Sequence, residues 1–432
     1  MEVVKKIKKI NMLKGSAVGY EGRCPEQYDN YEELKKIASK EELIKLTNHP
    51  NGVVRCYAFW ALSNDSSVNL FPIVLNHIHD DKLVYAQFGC EINPEMVGDF
   101  FIHVATLFVD SIQREKLDSI LIYSDSKLFA RSSAIYNAEP TESLYPKIRE
   151  LFIKDNDQYA LVTLAKYRKT EDIQMILNNK AEDDEYLYRA IQEFPHEDFL
   201  PLLEKKLIET LKEAYHSEKW QQLYNAIATY KNEKAVKLLI IPFTQVPYEE
   251  MRSSHIVRIY DAIEENITEI YDSLLWKLWI EENLITSDVY QYLMTKDSIK
   301  VIELTKENIV NPDNIYSNST ISIMLNVVMK DDYDFGLEII RENIKNADVH
   351  QISTFTDKII ELKDKSFIDP LFERFAKEDN PHTYLSIAEA LISYHDSTIN
   401  KRILETRKIN DNLNRDWGGD SLDKLLKESN IK

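Results

Sequence analysis

The sequence predicts an all-α protein built as a right-handed α-solenoid of stacked antiparallel helix pairs, and three observations lead there. Glycine is scarce, 9 in 432 residues against about 7% in an average protein, so the turns and bulges of sandwiches, barrels and doubly wound sheets lack the residue they use most. The chain repeats one unit, a roughly three-turn apolar helix, a short polar break and a second amphipathic helix. One helix, within NHPNGVVRCYAFWAL (residues 48–62), is apolar nearly all round. That is costly in a lone helical hairpin and natural where each helix meets a partner and both flanking units.

The elements follow in order. Residues 1–30 read as an N-terminal arm or cap, with Lys5, Lys6, Lys8, Lys9 and Lys14 among Val3, Val4, Ile7 and Ile10. Residues 31–245 read as repeats with an insertion at about 80–110 that carries Gly89, Pro94 and Gly98. Comparable units follow the opening stretch from 128, 158, 185, 219 and 382, and the three clearest neighbours start at 158, 185 and 219. The starts at 158, 185 and 219 put the spacing at about 27 to 34 residues, the length of a compact helix pair. Residues 246–412 continue as degenerate repeats, with stretches such as YDSLLWKLWI and ISIMLNVVMK. Residues 413–432, with the pair Gly418-Gly419 as a break before a short amphipathic helix, read as a C-terminal cap.

The polar breaks carry helix-start chemistry. Ser66, Thr141, Thr170, Asn232 and Asp396 stand where a side-chain oxygen would receive the first free amides of the second helix. Phe71-Pro72, Tyr145-Pro146 and Leu200-Pro201 recur at similar offsets, and proline is tolerated in a first turn because its missing N–H had no intrahelical acceptor.

Asn48, Pro50, Val54, Arg55, Ala58, Ala61 and Leu62 resemble the second half of a HEAT repeat: an amide and a proline in the turn, Val-Arg, then alanines and a leucine at helical spacing. The resemblance is best over residues 41–62, and the other units lack the Val-Arg pair. It implies a HEAT/ARM-like solenoid in which Arg55 bonds turn carbonyls or the amide or carboxylate of a neighbouring turn.

The formal charge is −19, which opposes the counterion exchange that nucleic-acid binding relies on. Cys24, Cys56 and Cys90 are odd in number and widely spaced, suggesting neither a disulfide framework nor a paired-cysteine zinc site. The basic N-terminus has no apolar core of a secretory signal, and no run approaches the roughly 18 apolar residues of a membrane span. The cytoplasm is the expected compartment. The acidic runs Glu182-Asp183-Asp184-Glu185 and Asp331-Asp332-Tyr333-Asp334 read as solvated turns or helix starts, where the helix dipole favours negative charge.

No phosphate-loop, dinucleotide, nucleophile-elbow, kinase or His-Glu-x-x-His pattern occurs, so no catalytic residue, cofactor site or metal site is expected. Winding residues 54–63 at helical pitch puts Val54, Tyr57, Ala58, Ala61 and Leu62 on one face and Cys56, Phe59, Trp60 and Ser63 on the other. Phe59 and Trp60 then either pack against residues 80–110 or the N-terminal arm, or form with Arg55 a partner-binding patch. His77, His79 and His103 make the richest polar cluster, although histidines two apart leave a helix on different sides. The expected function is a non-enzymatic scaffold or adaptor that binds a protein partner on the concave face of the solenoid. The alternatives are a nucleic-acid-binding solenoid like those of DNA-alkylation repair, and a lyase-like or small-molecule site near residues 76–103, since short HEAT-like repeats also occur in phycobilin lyases.

Overall fold

A computed structural model describes residues 1–180, 183–215, 217–310 and 317–431, without the side chain of Glu249. The chain divides into two compact units, Met1–Leu202 and Leu203–Lys432. In the first unit the order is α1 (Glu2–Ile10), β1 (Leu13–Val18), α2 (Glu26–Ile37), α3 (Lys40–Leu46), α4 (Gly52–Ser63) and α5 (Phe71–Leu75). Then come β2 (Leu83–Gly89), β3 (Glu91–Met96), α6 (Val97–Ala105), α7 (Ser111–Tyr123), α8 (Phe129–Tyr136), α9 (Tyr145–Asp155), α10 (Gln158–Lys166), α11 (Ile173–Leu177) and α12 (Glu185–Glu193).

Helices α2, α4, α6, α8, α10 and α12 pack each on the next, and α1, α3, α5, α7 and α9 each lie against the helix that follows. The second unit repeats this pattern. Ser287–Lys296, Asn318–Asp331, Ile352–Leu362, Pro381–Ile392 and Asp416–Glu428 form one series of successive contacts, and Tyr333–Asn346, Ile368–Phe375 and Ser397–Ile409 form another. Side chains bridge the stacked layers. In the first unit Thr163 donates to the Ile135 carbonyl at 2.6 Å, Tyr167 to the Thr141 carbonyl at 3.0 Å, and Lys169 to Glu142 at 3.0 Å. In the second, Tyr394 donates to the Asp364 carbonyl at 2.6 Å and Arg374 to the carbonyls of Ile344 and Ala347 at 2.9 and 2.7 Å. The partners are 26 to 30 residues apart.

The scarcity of glycine does not remove left-handed helix ends. Among the described residues, Asn11, Asn156, Asn283 and Lys363 close helices at positive φ. Tyr167-Arg168, Tyr230-Lys231 and Tyr394-His395 each place the residue after the tyrosine at a φ near +50°. Asparagine tolerates this region better than most residues. The tyrosine followed by a basic or histidine residue is a repeat mark that composition alone hides.

Three sequence expectations change. The insertion at about 80–110 brings a sheet into a chain expected to be all-α: β2 and β3 form an antiparallel hairpin, and β1, from the arm, pairs parallel with β2 in the order β1-β2-β3. The hairpin closes through Gly89-Cys90, with Gly89 at φ +67°, the left-handed opening that two-residue hairpins favour. The Tyr57 hydroxyl fastens β1 to α4, accepting from the Lys14 amide at 2.8 Å and donating to the Lys14 carbonyl at 3.0 Å. Both faces of the hairpin carry apolar residues, so the alternation that betrays a strand is blurred.

The capping expectation holds for Asn232, which accepts from the Ala235 amide, and Asp396, which accepts from the Thr398 amide. It fails for Ser66, Thr141 and Thr170, because the following helices or turns begin at Leu70, Leu144 and Lys169 with no side-chain cap. Pro72, Pro146 and Pro201 do occupy first turns. Finally, Gly418-Gly419 is no break. The last helix runs through both, and a β-carbon on Gly418 would fall 2.0 Å from the Tyr384 hydroxyl, so the glycine serves a close approach. Of the acidic runs, Asp332 caps Tyr333–Asn346 through the Phe335 amide and Asp183 accepts from the Glu185 amide, while Glu182 lies outside the described residues.

Candidate functional site

The residues singled out in α4 separate into three environments. Arg55 is buried, donating to the His49 carbonyl at 2.8 Å and to Asp80 at 2.8 Å. Asp80 in turn lies 3.2 Å from Nδ1 of His77. Burial works to raise the Asp80 carboxyl, but the His77 contact and the Arg55 charge outweigh it and hold it below the ordinary aspartate range. Phe59 is 0% exposed and stacks on Phe101 with ring centroids 4.1 Å apart. A patch of Arg55, Phe59 and Trp60 is therefore not available to a partner, because two of its three members are enclosed. Trp60 alone reaches outward.

The three histidines do not converge. His77 is buried against Asp80 and Phe101. His79 is directed to Asp125, 3.5 Å away with both side chains largely solvated. His103 stands on the exposed side of α6. Among the described residues no group of three or more His, Cys, Asp or Glu side chains is arranged to hold a metal ion.

His103 and Trp60 do share one feature, an open cavity of about 380 Å³ between the end of α4, the hairpin and α6. Its walls are aromatic. The Trp60 ring is stacked on Tyr31 at 4.6 Å, and the planes of Phe88 and Phe100 stand at 68° and 77° to it with centroids at 6.0 and 6.3 Å. Val104, Leu107 and Phe108 complete the apolar lining. Strand alternation explains why Phe88 faces this way: Val84, Ala86 and Phe88 share the inner face of β2, opposite Glu95, Asn93 and Glu91 of β3.

No protein-family model, no curated protein and no solved structure matches this chain.

Glu95 is the residue that sequence reasoning missed. It lines the cavity, and among the described residues its carboxylate has no hydrogen-bond or ion-pair partner. Burial, with the charge of Asp99 as second cause, pushes it up to about 7. Asp99, four residues on in the first turn of α6, is also raised by burial, but it receives the amides of Phe129 and Ala130 at 3.1 and 2.8 Å and so starts α8. A carboxyl raised by burial beside aromatic walls is the kind of perturbed group that gathers at binding sites. Nothing at the level of sequence marked it, since a Glu beside a proline in an insertion reads as solvated.

The other face of the hairpin is different again. Leu83, Tyr85 and Ile92 are 60%, 61% and 52% exposed and project together from it, with Pro94 opposite Tyr85. Leu107, Phe108 and Ile112, just past α6, are exposed as well. No helix among the described residues is long and apolar enough to cross a membrane.

Proposed function

We propose that this chain is a non-enzymatic scaffold or adaptor, a HEAT-like right-handed solenoid of helix pairs that binds a protein partner. The successive packing of helices within each unit supports the solenoid reading, since such units cannot bury their apolar faces alone. The observation that carries the binding reading is the exposed apolar face of the hairpin. Leu83, Tyr85 and Ile92 are large side chains brought side by side in water, and contiguous exposed apolar surface marks interaction sites. Aromatic residues such as Tyr85 are frequent energetic centres of interfaces. The concave face of such a stack supplies the general surface along which a partner would extend, and the hairpin face supplies the anchor.

The test is affinity capture from the source cells with the wild type and with Tyr85→Glu/Ile92→Glu. Both positions are exposed, so helicity by circular dichroism should be unchanged. A specific protein retained by the wild type and lost by the double variant is the expected result. A partner retained equally by both sinks the hairpin as anchor, and a wild type that retains nothing specific sinks the scaffold reading.

A further inference from the structure

The cavity behind the hairpin has a chemistry that its apolar outer face lacks. We propose that the cavity walled by Trp60, Phe88 and Phe100 is a binding site for a small organic cation, an ammonium group carrying an apolar substituent, with Glu95 as its counter-ion. This inference does not rest on the scaffold reading, because Phe88 and Glu95 belong to the inner face of the hairpin and Leu83, Tyr85 and Ile92 to the outer one.

Three observations carry it. The first is ring arrangement. Trp60 has Phe88 and Phe100 steeply inclined to it within 6.3 Å, so the lining offers π-surface in more than one orientation. Trp faces attract cations most strongly of the aromatic side chains.

The second is charge. Glu95 is the acid of the cavity and has no partner within the described protein, with Asp99 as the nearest further carboxylate named by its electrostatics. An anionic ligand would meet the Glu95 carboxylate in the wall, with the charge of Asp99 adding to the repulsion, and a wholly apolar one would leave Glu95 without a partner, which is unfavourable. A cation removes that penalty and forms a charge-assisted contact. His103 also lines the cavity and is exposed, so the cationic group belongs with the half-buried carboxylate, at Glu95.

The third is room and polarity beyond the cation. About 380 Å³ lies within the range of small-molecule sites, roughly 300–1,000 Å³. Val104, Leu107 and Phe108 provide an apolar path for a substituent of several carbons. A bare metal ion would gain nothing from these walls and would find one carboxylate where hard cations take six or more oxygens. A peptide is not required by anything in the cavity.

The experiment is a ligand-observed NMR titration of the full chain at about pH 8 with hexylammonium, hexan-1-ol and hexanoate, three probes of one chain length. An alkylammonium keeps its proton there, as a lysine with its pKa of about 10.4 does. Hexylammonium should bind about tenfold or more tightly than hexanol, and hexanoate more weakly than either. Glu95→Gln should bring hexylammonium to within about threefold of hexanol. Leu107→Arg, at a position 77% exposed, shortens the apolar path and places a competing cation in the lining, so it should weaken both probes and hexylammonium the more. Trp60→Leu should weaken hexylammonium more than hexanol. Equal binding of hexanol and hexylammonium, tighter binding of hexanoate, or a hexylammonium affinity indifferent to Glu95→Gln would each overturn the proposal.

Discussion

Replacing Glu95 by glutamine should stabilise the hairpin region, and the gain should grow with pH. The folded protein holds this carboxyl up at about 7 against an ordinary 4.5, so between those values the folded state binds a proton that the unfolded state has released. Stability therefore falls as pH rises through that window, and the cost is fully present above about 7. A shift from 4.5 to about 7 at about 1.36 kcal/mol per unit gives a ceiling of roughly 3 kcal/mol. Partial solvation of the cavity mouth lowers this to about 1–3 kcal/mol. Glutamine never ionises, so its advantage over wild type should widen by up to about 2 kcal/mol between about pH 5.5 and about pH 8. Hydrogen exchange of peptides covering 83–105 reads this locally, without assuming that the two units unfold together. With both proteins compared at each pH, the wild type should exchange up to about 30-fold faster relative to the variant at the higher pH than at the lower. A ratio that does not change with pH would mean that Glu95 is solvated and ordinary, and the argument from burial would fail.

Asp80→Ala leaves Arg55 enclosed without its carboxylate. A loss of about 3 kcal/mol is expected, read as a lowered urea midpoint with the circular dichroism of the folded baseline intact. Asn232→Ala removes a real cap and should cost about 1 kcal/mol. Thr141→Ala, at a position whose hydroxyl caps nothing, should stay within about 0.5 kcal/mol of wild type; similar losses in both would contradict the helix starts described above. Tyr394→Phe deletes the bond to the Asp364 carbonyl 30 residues back and should cost about 1–2 kcal/mol, seen as faster exchange in peptides spanning both partners.

How legible the site was depends on how local its cause is. Arg55 could be read as a turn-bonding residue from the Val-Arg pattern, and its bonds to the His49 carbonyl and Asp80 are of that kind. The two faces of α4 could be drawn from helical pitch, but pitch says nothing about what covers each face. Phe59 meets Phe101 and is enclosed, while its neighbour Trp60 meets Phe88 and Phe100 and is left beside a cavity. His77, His79 and His103 looked like one cluster because they are close in sequence, and the turn after α5 sends the first two to different sides. Glu95 was invisible because its character comes from burial, which no neighbouring residue in the chain announces.

Residue order was enough to show that this chain is helical and that Asn232 and Asp396 begin helices. These follow from side-chain period, from backbone amides that need nearby acceptors, and from proline's tolerance in a first turn, all of which act within a few residues. Only the packed chain settled that LKGSAV of the arm would become the parallel partner of a hairpin some 70 residues away, and that the inner face of that hairpin would wall an aromatic cavity beside the Glu95 carboxylate. The physical reason is that strand pairing and desolvation are non-local. A strand with apolar residues on both faces shows no period until its partners choose its inside, and a carboxyl keeps its ordinary acidity until the fold takes its water away.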